Sequence, residues 1–150
     1  MFDAAELRAA LPRIIAYWRD WLRRSPGGRP RTGDRGRREQ ALITALIDAA
    51  RAPLGDAAAL RELELAARAY GELPRRQRLD PTELAEELGL LRHAIYRCVQ
   101  EVYPHDADRL RFVMRLDHGV SVAVQAALRG GYRGELEARP SNRSRPPEPN

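Results

Sequence analysis

The sequence has no lysine; all 26 basic residues are arginine. It holds one cysteine, two phenylalanines, two tryptophans and three histidines in 150 residues. A single cysteine, Cys98, excludes an internal disulfide, and its place among apolar neighbours marks it as a small core hydrophobe of suppressed reactivity. A metal site needs several ligands converging at recognisable spacing, and the three histidines do not supply it: His93 points opposite the Leu84–Val102 seam, His105 falls in a turn and His118 lies at the edge of its stripe. No apolar run reaches the roughly 18 residues of a membrane span. The opening MFDAAELRAALPR lacks the basic stretch that precedes the apolar segment of a secretory signal, so a cytoplasmic location is expected. Apolar and polar residues do not alternate as in a strand, and Gly-rich phosphate loops, nucleophile elbows and kinase signatures are missing. Neither a cofactor nor a catalytic constellation is expected.

The charge is one-sided at first sight, with a net +5 and a pI near 10.1. Residues 23–38 contain seven Arg against one Asp, a local +6 that leaves −1 for the rest of the chain. The basicity therefore belongs to one segment. Arginine without lysine, beside abundant alanine, fits a GC-rich coding bias better than selection for phosphate contacts, so nucleic acid is not the partner the charge favours.

What the chain does have is apolar spacing at helical period. Residues 3–24 carry Leu7, Leu11, Ile14, Trp18 and Trp21 in steps of 4, 3, 4 and 3, with Ile15 and Leu22 widening the stripe. Pro12 inside that stretch predicts a kink, or a short helix ending before it and a second one starting there. Residues 25–38, rich in Gly, Pro and Arg, read as a mobile loop, either a plain connection or a patch for an anionic partner. Residues 39–51 form an amphipathic helix through Leu42, Ile43, Leu46, Ile47 and Ala50, closed by Pro53 and Gly55. Asp56 caps a third helix with the stripe Leu60, Leu63, Ala67 and Tyr70, and Gly71 is its expected stop.

Residues 80–102 are the stretch on which function turns. Asp80 as N-cap, Pro81 at the first position and Glu83 reaching back predict a helix start, and Leu84, Leu88, Leu91, Ile95, Cys98 and Val102 continue it in heptad steps. The alternative is a DNA-binding helix-turn-helix, in which Ala85, Gly89 and Ile95 serve packing and turning. That unit must break near Gly89, whereas the seam runs through Gly89 in phase, and one glycine costs a helix only about 1 kcal/mol. The continuous helix is the preferred reading.

A last helix is expected over residues 106–129, ending at Gly130-Gly131, with the face Leu110, Val113, Leu116, Val120, Val124, Ala127 and Leu128. Asp117 falls into that face as its one charged member. Residues 133–150 have the Pro, Ser and charge content of a disordered tail. The fold class is thus all-α, an up-and-down bundle of about five helices in one domain over residues 1–132.

Several of these residues resemble the N-terminal domain of RsbRD-type RsbT co-antagonist proteins, a helical regulatory domain also found ahead of histidine kinases. The resemblance lies in Ala69-Tyr70-Gly71 and the basic link to Arg78, and in Glu83-Leu84 with Glu87, Leu91-Arg92 and Ile95. It continues in Leu116-Asp117-His118-Gly119-Val120 with Val124, and in Ile14-Ile15 with Trp18. Tyr70 stands where the family has a histidine. The resemblance implies a non-catalytic, cytosolic signalling or sensor domain that regulates a stress-response or two-component partner, of anti-sigma-antagonist or kinase type. It points to Trp18, Tyr70, Glu87, Arg92 and Asp117 as the residues that carry signal, ligand or critical packing. The long apolar seams add homodimerisation as an expectation.

Overall fold

In the computed structural model the described residues are 3–24, 35–73, 80–104 and 107–138. Among them are six helices and no strand: α1 (Ala4–Ala9), α2 (Leu11–Arg24), α3 (Arg35–Arg51), α4 (Ala57–Gly71), α5 (Pro81–Val102) and α6 (Arg109–Ala138). The all-α expectation holds. None of these helices is long and apolar enough to cross a membrane.

Local chemistry sets the boundaries. The N-terminal helical stretch divides at Ala10, so that Pro12 becomes the second residue of α2, where its missing N–H leaves no hydrogen bond unmade. This is the second of the two outcomes expected for Pro12. Asp56 accepts from the Ala59 N–H at 2.9 Å to start α4. Asp80 and Glu83 form the expected reciprocal capping box, the Asp80 carboxylate accepting from Glu83 N–H at 2.8 Å and Glu83 accepting from Asp80 N–H at 3.1 Å. Between α3 and α4 the chain turns through Gly55 at φ +82°, a conformation open to glycine without a side-chain clash. From Pro81 to Val102 α5 is unbroken, passing Gly89 without a turn.

Three boundaries differ from the sequence reading. Residues 35–38, assigned there to the Arg-rich loop, open α3, and the Arg38 guanidinium donates to the Ala69 carbonyl at 2.8 Å, satisfying an end group of α4. The α4 helix includes Gly71 and ends at the cap Glu72. The α6 helix runs on past Gly130-Gly131 to Ala138, taking in residues first assigned to the tail. The remaining loop and tail residues, 25–34 and 139–150, lie outside the described residues.

Packing joins two helix pairs through a common element. The α3 helix lies against α4 and α2 against α5, while α6, about 45 Å long at 1.5 Å per residue, touches α3, α4 and α5. The core takes Leu7, Ile14 and Trp18 from the first seam, Leu42, Ile43, Leu46 and Ile47 from α3, and Leu84, Leu88, Leu91, Ile95 and Cys98 from α5. Burial pushes the Cys98 thiol above its ordinary range, in keeping with an inert core position.

The α4–α6 contact is of another kind. A Cβ on Gly71 would lie 2.0 Å from the Ala127 carbonyl oxygen, and one on Gly130 would lie 2.3 Å from that of Arg68. The two backbones cross with nothing between them. Around the crossing α6 buries Ala123, Ala126 and Ala127, small residues that permit the approach.

Candidate functional site

The two helix pairs meet through side chains, and three of the five residues singled out from the sequence make the joint. Trp18 of α2 is fully buried and donates its indole N–H to the Glu87 carbonyl of α5 at 3.0 Å. Tyr70 of α4 is fully buried and donates its hydroxyl to the Glu87 carboxylate. The Trp18 and Tyr70 rings stand 5.8 Å apart at an interplanar angle of 33°, within the range of favourable aromatic pairing. The α4 helix packs on α3 and α6, and this triad links it to α2 and α5.

Glu87 occupies the buried face of α5, one position before Leu88, and retains 8% exposure. A carboxylate taken out of water must find donors, and the Tyr70 hydroxyl is one that the structure supplies. Its position specifies a geometry that an apolar residue would leave loose.

The other two candidate residues pair with each other. Arg92 of α5 donates to Asp117 of α6 at 3.1 Å, with side-chain exposures of 40% and 48%. Asp117 therefore does not enter the apolar face, as its spacing suggested. The face of α6 is turned so that Phe112, Leu116 and Val120 are buried while Leu110 is 68% exposed. The small-residue crossing on α4 sets that rotation, which carries Asp117 to the flank beside Arg92. An exposed ion pair of this kind contributes between 0 and about 1 kcal/mol, so the pair orients α5 against α6 more than it stabilises them.

Two polar groups went unremarked in the sequence. Glu39 on α3 is fully buried, with the Arg19 guanidinium at 3.4 Å. Its signal was a carboxylate three and four residues before Leu42 and Ile43, on the apolar stripe itself. The second group lies where α2 crosses α5. There Glu101 accepts from the Tyr17 hydroxyl at 3.0 Å, from Arg97 Nε at 3.2 Å and from Arg13, while the Arg97 guanidinium sits 4.3 Å from the Tyr17 ring centroid.

Partial burial pushes the Glu101 carboxyl up, but hydrogen bonds from Tyr17 and Arg97 and the nearby Arg13 outweigh it and hold the group below the usual carboxylate range. A carboxyl with a depressed folded-state pKa stabilises above its unfolded pKa and loses that contribution as pH falls through the folded value. Glu101→Gln should accordingly flatten the acid limb of a melting-temperature profile. A variant whose acid limb superimposes on that of the wild type would remove the cluster from the account. At the far end of α5 the Tyr103 hydroxyl donates to Glu6, and burial with that carboxylate pushes its pKa up to about 12.

Among the described residues no group of three or more His, Cys, Asp or Glu side chains is placed to hold a metal ion. His93 is exposed with its ring edge-on to Trp21 at 6.3 Å, and His118 is exposed beside the α3–α4 turn. A groove of about 1050 Å³ opens between α3 and α4 and is lined by none of the five candidate residues. Comparison of the chain with protein-family models, with curated proteins and with solved structures gave no match.

Proposed function

We propose that the chain is a non-catalytic, cytoplasmic regulatory domain of the RsbRD N-terminal type, which passes a signal through helix packing to a stress-response or two-component partner. The observation that carries this reading is the Trp18–Tyr70–Glu87 joint, where residues of three helices selected by the resemblance converge on one buried hydrogen-bonded node. A node of this kind couples the α3–α4 pair to the α2–α5 pair, so that a shift of one is felt by the other. The Arg92–Asp117 pair sits on the neighbouring α5–α6 contact and biases the same packing. The preference over the helix-turn-helix alternative rests on α5, which runs through Gly89 without a break and buries Ile95 and Cys98 in the core.

Affinity purification of the tagged chain from its native cells, with and without stress, tests the proposal. An anti-sigma-antagonist or histidine-kinase component should co-purify, and Asp117→Ala should change its recovery without unfolding the chain. Recovery of neither class of partner, together with salt-sensitive duplex DNA binding by the purified chain, would overturn it.

A further inference from the structure

The α1 helix is the shortest of the six, with six residues against the roughly 12 to 15 that an isolated helix needs to persist in water. Leu7 is its one large apolar side chain and is fully buried in the core, while Ala5, Glu6, Arg8 and Ala9 face solvent. Its place follows from what its two ends meet. Asp3 and Glu6 meet Tyr103, the residue just past α5, whose hydroxyl donates to the Glu6 carboxylate and accepts from the Asp3 N–H at 3.2 Å. Leu11, the first residue of α2, borders the groove between α3 and α4. The Arg13–Glu101 ion pair sets the start of α2 beside the end of α5. The α1 helix therefore lies across one end of the bundle, with Leu7 as a plug in the end of the core.

We infer that α1 is a hinged lid on that end of the core, opening as a unit separate from the bundle and held shut by the Tyr103 hydroxyl. The hinge is the break at Ala10. Pro12 has no N–H to offer the Arg8 carbonyl four residues back, and that carbonyl accepts from the Ala10 N–H instead, so α1 and α2 are not one rod. The latch is a single group. Among the described residues, the two hydrogen bonds to Tyr103, from positions 100 and 97 residues away, are the polar ties between residues 3–9 and the other helices.

An element joined to its fold by one apolar side chain and one hydroxyl belongs to the low-stability end of a molecule, where local opening precedes global unfolding. Swinging α1 out about Ala10 uncovers the seat of Leu7 but leaves Ile14 and Trp18 in place on α2. The lid can thus open without dismantling the Trp18–Tyr70–Glu87 joint, and its action does not depend on the signalling role.

Native-state amide hydrogen exchange of the full chain, resolved by nuclear magnetic resonance and corrected for intrinsic rates, compares the wild type with Tyr103→Phe. The Leu7 and Ala10 amides, which donate to the Asp3 and Glu6 carbonyls, report on α1, and those of Ile95 and Val99 report on α5. In the wild type the first pair should exchange about a hundredfold or more faster than the second, at a rate insensitive to low urea, which is the signature of local opening. Tyr103→Phe keeps the ring and removes the hydroxyl, so it should speed the first pair roughly three- to tenfold further and leave the second pair unchanged. Exchange of the α1 amides at the rate and urea dependence of α5, acceleration of both pairs alike, or α1 amides unmoved by the loss of the hydroxyl would each overturn the inference.

Discussion

Replacing Gly71 or Gly130 with alanine is expected to destabilise the fold by about 3 kcal/mol or more, while the same replacement at Gly89 stabilises it by up to about 1 kcal/mol. All three glycines are helical, so helix propensity alone predicts a gain at each. What separates them is the space beside the backbone. The added methyl would stand 2.0 Å from Ala127 O at Gly71 and 2.3 Å from Arg68 O at Gly130, but meets nothing within 4 Å at Gly89. Main-chain atoms have no rotamer with which to yield, so α4 and α6 must move apart along a contact that also buries Leu63, Ala67 and Ala123. Gly119 is the intermediate case, with Leu63 Cδ2 at 3.4 Å, and Gly119→Ala should change stability by less than about 1 kcal/mol. Thermal melts of the four variants decide the matter: the first two should fall by roughly 10 °C. Unchanged melting of Gly130→Ala would mean that the helices do not cross this closely.

The same crossing explains why one part of the chain was readable in advance and another was not. Residues 80–102 announced their helix because every signal was local: a cap, a proline at the first position, and a seam that kept its phase through Gly89. The division at Ala10 was legible in part, since Pro12 left a kink or a new helix start within one turn, and the structure takes the second. In residues 109–138 the sequence rule weighted branched side chains, which placed Leu110 in the face and Asp117 with it. The structure weights smallness instead, burying Ala123, Ala126, Ala127 and Gly130 against α4 and turning Leu110 outward. Gly130-Gly131 looked like a helix stop because glycine serves both as a cap and as a point of close approach, and only the presence of α4 tells the two apart. The joint was hidden more deeply. Trp18 and Glu87 are separated by 69 residues and Arg92 and Asp117 by 25, distances over which no periodicity carries information.

The joint makes the second large prediction. Tyr70→Phe and Glu87→Leu, made singly, should each cost on the order of 2 kcal/mol, because each leaves a buried polar group without the partner it faces. The double variant should cost less than the sum, with a coupling energy of about 1 to 3 kcal/mol in a denaturation cycle, since an apolar pair of similar size leaves nothing unsatisfied between them. Trp18→Ala should be worse than any of these, at about 3 to 5 kcal/mol, because it removes a fully buried indole as well as the hydrogen bond to the Glu87 carbonyl. Additive single effects would show that the Tyr70 hydroxyl and the Glu87 carboxylate do not depend on one another. The double variant also separates architecture from signalling. It keeps the Trp18 hydrogen bond to the Glu87 backbone and the ring of residue 70, so it should remain folded, but it loses the directional bond that ties α4 to α5. If that bond couples the two helix pairs, the stable double variant should bind its partner with the response to stress flattened, an outcome that loss of stability alone would not produce.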